Sequence, residues 1–181
     1  ILRRLVEGIA SFRGEIGDVR RKIDPSGDVA DNASPALFSI RDRLRRQKAK
    51  LRGTLEQFTR GSSAKYLQDE VITERNGRFV LMVRAEHRGN VPGIVHGSST
   101  TGATLFLEPS ATVEINNDIV ALEQEEAAEV YRILVALTDL FRARAGELQQ
   151  TTGVATELDV IQARARLSEQ LGGTEPVLST D

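Results

Sequence analysis

The sequence predicts a mainly α-helical protein with a small antiparallel β-sheet inserted between long helices. Apolar residues recur at helical spacing on both sides of a stretch, Tyr66 to Pro109, that reads as short strands punctuated by glycines. Apolar residues make up 40% of the 181 residues, which is enough for a core, but aromatic residues make up only 4% and tryptophan is absent. This composition favours long helices packed through Leu, Ile, Val and Ala.

The first helix is predicted over Ile1 to Ile23, where apolar residues follow a heptad spacing. The residues of this seam are Leu5, Ile9, Phe12, Ile16, Val19 and Ile23. Asp24-Pro25-Ser26-Gly27 should end the helix, because proline and the turn residues after it cannot continue it. Residues 24–34 are therefore expected to form a polar loop.

The second helix is predicted to begin at Ser34-Pro35, an N-cap hydroxyl followed by proline at the first helical position. Its expected buried stripe is Leu37, Ile40, Leu44, Leu51 and Phe58, with Gln47 in one slot where an apolar residue is expected. The helix should run to about Thr59, because Gly61-Ser62-Ser63 follows.

The stretch from Tyr66 to Pro109 predicts a sheet of three or four strands. Asn76-Gly77 readily adopts the positive φ values of a type I′ turn and should join two strands as a hairpin. The expected strands are Val71–Arg75, Arg78–Arg84, Gly93–His96 and Ala103–Leu107. Alternation places Phe79, Leu81 and Val83 on one face of the second strand, and Arg78, Val80, Met82 and Arg84 on the other.

Two further helices are predicted after the sheet. Ser110 is the expected N-cap of a third helix that reaches about Gln150, and Thr151-Thr152-Gly153 should separate it from a fourth helix, Val154 to Leu171. The second and third helices leave and return at one end of the sheet. They should therefore run antiparallel, as an arm with the sheet at its tip.

Charge is distributed unevenly along the chain. The net charge is +7 over residues 1–65, −1 over residues 66–110 and −8 over residues 111–181. In the predicted arm, residues whose numbers sum to about 171 lie side by side, which places Arg45, Arg46 and Lys48 near Glu126, Glu125 and Glu123. Complementary charges of this kind fix the direction of a two-helix coil.

No catalytic or metal-binding motif is visible in the sequence. It contains no P-loop, dinucleotide-binding glycine pattern or nucleophile elbow, no cysteine, and only two histidines, His87 and His96. The carboxylates Glu123, Glu125, Glu126 and Glu129 are expected to form a salt-bridged helix face rather than an acid–base pair. We expect no enzyme activity, no metal site and no membrane span in this chain, and a cytoplasmic location.

Two groups of cations are candidates for binding nucleic acid. The run from Arg41 to Arg52 holds seven cations and one acid, and the favoured interpretation is pairing with the acidic third helix. The better candidate is the sheet, whose cations and hydroxyls suit contacts to phosphate and sugar. The candidate contact residues are Arg75, Arg78, Arg84, His87, Arg88, Ser98, Ser99 and Thr100. Nearby acids and the lack of an evident stacking platform leave an ordinary polar surface as the alternative.

The central stretch resembles the MutS-like proteins of bacteria, in their type two branch. The resemblance rests on Thr73, Arg75, Gly77-Arg78-Phe79-Val80, Ala85-Glu86, Arg88-Gly89, Gly93, Val95, His96, Ser98, Gly102-Ala103-Thr104, Glu108-Pro109 and Asn116-Asn117. It covers roughly Ser34 to Leu171. The flanking helices alone would not be specific.

The resemblance implies the core, lever and clamp regions of such a protein. It implies a helical core part over 1–33, an outward lever helix over 34–65, a β clamp over 66–110, a returning lever helix over 111–150 and a second core part over 151–181. The ATPase domain, which binds ATP and Mg²⁺, would begin just after Asp181, and an Smr nuclease domain would lie further on. No cofactor is therefore expected in this chain.

The resemblance also implies partners. Family members form homodimers, act on branched DNA in suppressing recombination, and some rescue stalled ribosomes. Two functional hypotheses follow: a clamp that binds branched or duplex DNA, or a mechanical and dimerisation arm that grips the ribosome or a protein partner and has no DNA affinity of its own.

Overall fold

The computed structural model describes residues 6–174, which divide into two compact units. The sheet unit comprises residues 22–133, and the terminal unit comprises the described residues up to 21 and from 134 onward. Four α-helices are present in the described part of the chain: α1 (Arg13–Lys22), α2 (Pro35–Arg60), α3 (Val113–Arg142) and α4 (Ala145–Gln170). The predicted fold class, mainly α with a small inserted antiparallel sheet, is confirmed.

The sheet has four antiparallel strands in the order β1-β2-β4-β3. They are β1 (Leu67–Arg75), β2 (Arg78–Arg84), β3 (Gly93–Ser98) and β4 (Thr104–Pro109). The predicted hairpin is confirmed, because Asn76 and Gly77 join β1 to β2 with φ values of 52° and 71°, the left-handed values of a type I′ turn. A short 3₁₀ segment, Ala85–Asn90, connects β2 to β3.

One face of the sheet packs on α2 and α3 to form the core of the sheet unit. Its buried residues are Leu44, Leu51, Leu55, Leu67, Leu81, Val83, Val91, Leu107, Ile115, Ile119 and Leu122. The predicted stripe of α2 is largely correct: Leu37, Leu44 and Leu51 are buried, and Ile40 and Phe58 are partly buried. Ser34 caps the helix as predicted, because its hydroxyl accepts a hydrogen bond from the Leu37 N–H at 3.0 Å.

Helices α2 and α3 run antiparallel and are joined by ion pairs. The pairs are Arg41–Glu126 at 2.7 Å, Arg43–Glu125 at 3.4 Å and Lys48–Glu123 at 2.8 Å. At the start of α2, the Ser34 hydroxyl donates to Glu129 Oε1 at 2.6 Å. Three of the seven cations between Arg41 and Arg52 therefore pair with the acidic helix.

Two of the three predicted cross-helix pairings are wrong. Lys48 does pair with Glu123, but Arg45 binds Asp31 at 2.8 Å, and Arg46 binds Asp42. The reason is helical geometry: Arg41 and Lys48 alternate with Leu37, Leu44 and Leu51 at spacings of four and three, so they share the face turned to α3. Arg45 and Arg46 fall outside that spacing.

The predicted boundaries of the first helix are wrong within the terminal unit. Residues 9–12 are not helical, and α1 begins only at Arg13. The Ala10 N–H instead donates to Thr151 Oγ1 at 3.0 Å, and the buried Phe12 ring lies 6.4 Å from that of Phe141. The seam residue Leu5 and the expected continuation after Asp181 lie outside the described residues.

The break between the last two helices was predicted at Thr151-Thr152-Gly153, but it occurs at Ala143-Arg144. Arg144 is fixed by a 2.6 Å ion pair to Glu15, and its guanidinium lies 4.4 Å from the centre of the Phe12 ring. Ser110 was also predicted wrongly as the cap of the third helix. It begins a 3₁₀ turn, Ser110–Thr112, and the α-helix starts at Val113.

Candidate nucleic-acid interface

The strand register sorts the side chains of the sheet into two faces. Leu81 pairs with Leu107 and Val83 pairs with Leu105 on the face that meets the helices. The pairs Thr73–Val80, Arg75–Arg78, Met82–Phe106 and Arg84–Thr104 alternate with these and therefore lie on the opposite face. We call that opposite surface the outer face.

The outer face collects three arginines, and at least two of the nearby acids lie elsewhere. Glu74 pairs with Phe79, so it lies on the other face, and Glu86 belongs to the 3₁₀ segment. Asp69 and Glu70 lie where the register between β1 and β2 shifts. Among the described acids whose strand register is defined, Glu108 is the one on the outer face, and it is fully buried.

Glu108 is the centre of a buried polar network. Its carboxylate lies 3.0 Å from Arg78 Nη1, 2.6 Å from His96 Nε2 and 2.8 Å from Asn116 Nδ2. Arg78 and Asn116 both donate to Glu108 Oε1, and His96 Nε2 shares a hydrogen bond with Oε2. Because an unpaired buried charge is costly, these donors are what allow a carboxylate to occupy this position.

The Asn116 side chain extends the sheet where β4 ends. Continuing the register from Leu81 and Leu107 places Phe79 opposite Pro109, which has no N–H to donate. The Asn116 amide replaces the missing peptide group: its Nδ2 donates to Phe79 O at 3.3 Å, and its Oδ1 accepts from Phe79 N at 3.2 Å. The first turns of α3 are thereby hydrogen-bonded into the sheet.

The side chains of Arg78 and Arg88 are engaged in hydrogen bonds within the sheet unit. In addition to Glu108, Arg78 donates to Asn117 Oδ1 at 2.6 Å. Arg88 donates to the backbone carbonyls of Val91 at 3.4 Å and Gly93 at 2.9 Å. Both arginines therefore shape the sheet, and they are poor candidates for free phosphate contacts.

His87 is only partly available. Its ring lies 5.2 Å from the Tyr66 ring at a tilted angle, and Nε2 lies 3.5 Å from Glu86 Oε1. An imidazole already engaged with Tyr66 and Glu86 is a weaker candidate for phosphate than a guanidinium, which can bind phosphate through two donors.

Arg84 meets the hydroxyl-bearing turn at one end of the sheet. Arg84 is exposed, and its side chain makes no hydrogen bond or ion pair with another residue of the range 6–174. Its backbone pairs with Thr104. The turn after β3 is held by Ser99, whose Oγ accepts from Thr104 N at 3.1 Å, whereas Ser98 and Thr100 are exposed. On the outer face, Arg84 lies beside its register partner Thr104, whose side chain is partly exposed. Ser98 pairs with Leu105 and therefore lies on the opposite face.

Arg75 stacks on an aromatic ring of the outer face. Its guanidinium carbon lies 4.3 Å from the centre of the Phe106 ring, and Arg75 itself is exposed. Sequence reasoning found the charge of Arg75 but missed Phe106, because the two residues lie on strands that are not neighbours in the sheet.

The eight candidates therefore differ in their surroundings. Arg84 is exposed on the outer face, and Arg75 is exposed as part of a stack. Ser98 and Thr100 are also exposed, but Ser98 pairs with Leu105 and so lies on the opposite face. Arg78, Arg88 and Ser99 serve the fold, and His87 packs on Tyr66. Glu108 and Asn116 were quoted in the motif but were not recognised as a network, since only the folded sheet brings them to Arg78.

Two classes of site are not found in the described part of the chain. Residues 6–174 contain no group of three His, Cys, Asp or Glu side chains arranged to hold a metal ion. None of the helices described here has the length and apolar character needed to cross a lipid bilayer.

Comparison with known proteins gives a consistent family. The chain is 43% identical over 178 residues to an endonuclease MutS2 of Symbiobacterium thermophilum, an alignment that covers 98% of this chain and 22% of that protein. It is 39% identical over 181 residues to an endonuclease MutS2 of Clostridium perfringens, covering 100% and 23%. The chain is 37% identical over 163 residues to an endonuclease MutS2 of Lacticaseibacillus casei. No protein-family model matches the chain. The chain spans between a fifth and a quarter of the length of these relatives.

Proposed function

Because the chain belongs to the MutS2 family, we propose that it is a DNA-binding element of a MutS2 protein, acting on branched DNA in the suppression of recombination. In this proposal the four-stranded sheet is the clamp that touches DNA, and α2 with α3 is the lever that carries it. ATP and Mg²⁺ would act in another part of the parent protein. The relatives carry the name endonuclease, which supports nucleic acid as the parent's substrate.

The observation that carries this proposal is the charge of the outer face. Arg75 and Arg84 are exposed there, and the carboxylate that the register assigns to that face, Glu108, is buried and already paired. A phosphate that approaches this surface would meet these cations and, beside Arg84, the partly exposed Thr104 side chain. Such contacts hold the DNA backbone without reading its sequence, and they release counterions on binding.

The buried network gives the proposed clamp a fixed shape. Arg78, His96 and Asn116 tie β2, β3 and α3 to Glu108, so the outer face is presented by strands with little freedom to rearrange. A preformed surface loses less conformational entropy on binding than a flexible one. Residues that resemble the family motif thus support the binding surface rather than contact DNA.

The test is binding of the 181-residue chain to a four-way junction, a duplex and a single strand at two salt concentrations. Each substrate is repeated with Arg84→Ala and with Arg166→Ala, which removes the same charge from an exposed position on α4. Arg78 and Arg88 are avoided, because their loss would disturb the sheet. We expect Arg84→Ala to weaken binding to every substrate and to reduce the slope of log affinity against log salt concentration by about one. Arg166→Ala should bind with nearly the affinity of the unchanged chain.

Two results would overturn the proposal. Binding that is independent of salt would mean that phosphates are not the ligand. No binding to any substrate would favour the other hypothesis, an arm that grips a ribosome or protein partner and acts only within the parent dimer.

A further inference from the structure

The outer face contains a stack that the charge argument does not use. The Arg75 guanidinium covers the Phe106 ring, and Met82 lies directly opposite Phe106 in the register between β2 and β4. All three side chains are at least partly exposed. We call Arg75, Met82 and Phe106 the stacking platform.

The side of the platform toward β3 is open. Gly97 is the register partner of Phe106, and its φ of 154° disfavours any residue with a side chain. A β-carbon at this position would lie 3.9 Å from Phe106 Cδ2. The absence of a side chain here leaves space beside the ring on the solvent side of the sheet.

We propose that the stacking platform binds unpaired nucleobases of single-stranded nucleic acid. This inference rests on the proposed function and adds the part of the substrate that the sheet recognises. A guanidinium stacked on a ring still presents its own outer plane, and bases stack on both arginine planes and aromatic rings. Methionine adds a polarisable contact at the edge of the stack.

The geometry favours a single strand over a duplex. Bases in a duplex are already stacked on one another, and their flat faces cannot reach a surface that lies outside the helix. A single strand can place a base on the platform and its phosphate on Arg84, because Thr104, the partner of Arg84, is two residues from Phe106 along β4. That separation is about 7 Å along a strand.

The proposal is consistent with the chemistry around the platform. The register assigns Glu108 to the outer face, and this carboxylate is buried and paired rather than exposed to an approaching strand. Such surfaces bind single strands with little sequence preference, because every base has a flat face.

The experiment uses single-stranded DNA, single-stranded RNA and a blunt duplex of one sequence, each with 2-aminopurine at one internal position. Phe106→Leu keeps apolar area but removes the ring, and Arg75→Lys keeps the charge but removes the planar group. We expect each to weaken single-strand binding by on the order of tenfold, with duplex affinity and the salt slope unchanged. The fluorescence of bound 2-aminopurine should fall with the unchanged chain and recover with either variant.

The result separates this inference from the proposed function. If Arg84→Ala weakens both substrates while Phe106→Leu and Arg75→Lys change nothing, the platform does not bind bases, and the phosphate clamp stands. If both variants weaken duplex and single strand equally, the platform is a general contact and the inference is wrong. If no substrate binds, both proposals fail. An equal loss of single-stranded DNA and RNA binding would support base stacking. If Phe106→Leu lowers the melting temperature of the protein, the binding result of Arg75→Lys decides whether the platform binds bases.

Discussion

Replacing Asn116 by alanine should destabilise the sheet unit far more than the same change at Asn117. Asn116 is fully buried and bonds both backbone groups of Phe79 and one oxygen of Glu108, whereas Asn117 is exposed and accepts one bond from Arg78. The two residues are neighbours on α3. Each change to alanine therefore gains the same helix propensity, about 0.5 kcal/mol.

The expected magnitude follows from the groups left without partners. Two backbone groups of Phe79 each cost about 1 kcal/mol at the low end of the usual range, and the lost bond to the charged Glu108 costs about 1.5 kcal/mol. Subtracting about 0.5 kcal/mol for helix propensity leaves a loss of about 3 kcal/mol for Asn116→Ala. For Asn117→Ala, an exposed hydrogen bond is offset by propensity, and the change should lie within about 0.5 kcal/mol of zero.

The assay is urea unfolding monitored by circular dichroism. The free energies of unfolding are compared with one shared value for their dependence on urea concentration. The reasoning would be refuted by a difference of less than about 1 kcal/mol between the two variants. That result would mean that water replaces the Asn116 amide at no cost, so that the side chain does not complete the sheet.

Three further changes test other parts of the fold. Gly93→Ala should destabilise by about 2 kcal/mol or more, because a β-carbon there would strike the Glu108 carbonyl oxygen and lie 2.7 Å from Leu107 Cδ2. The Arg132 guanidinium, and then the Ser34 hydroxyl, lower the pKa of Glu129 to about 2. An unfolded-state carboxyl has a pKa near 4.5, so Glu129 stabilises the fold fully above that pH and progressively less as the pH falls toward 2. In the Glu129→Gln variant, the free energy of unfolding should therefore depend less on pH in this window. A double-mutant cycle on Arg41 and Glu126 should give a coupling of about 1 kcal/mol.

Each of these changes has a matched control. Gly89→Ala meets no atom within 4 Å and should stay within about 0.5 kcal/mol of the parent. Glu157→Gln removes an exposed carboxylate from the interior of α4 and should change acid unfolding less than Glu129→Gln does. The pair Arg43 and Glu125 is half exposed at 3.4 Å and should couple by less than about 0.5 kcal/mol. Equal effects in any test and its control would contradict the corresponding argument.

Local patterns were sufficient for the elements whose stability is local. Ser34-Pro35 marked the start of α2, because capping and the fixed φ of proline act within one turn. Asn76-Gly77 marked the hairpin for the same reason. The inserted sheet indicated that α2 and α3 run antiparallel, and the expected pairing of Lys48 with Glu123 is confirmed, although those of Arg45 and Arg46 were wrong.

Long-range partners account for what the sequence could not reveal. Thr151-Thr152-Gly153 has low helix propensity, yet α4 continues through it, and Thr151 Oγ1 accepts a bond from Ala10, 141 residues away. In the sequence, Arg78 was a candidate phosphate contact, but in the fold it forms an ion pair with Glu108. The outer face was visible as alternation along β2, but the Phe106 stack depends on pairing between separate strands.

The Asn116 amide at the end of β4 also determines how the sheet can move. A hinge between β4 and α3 would need Phe79 to lose both of its bonds to Asn116 at once, in a place where the neighbouring Glu108 is sealed from solvent. Opening at this joint should therefore be rare, and the Phe79 amide hydrogen should exchange with deuterium about as slowly as those of the central strands. The joint is therefore rigid, and a rotation of the first turns of α3 would rotate the strands with it.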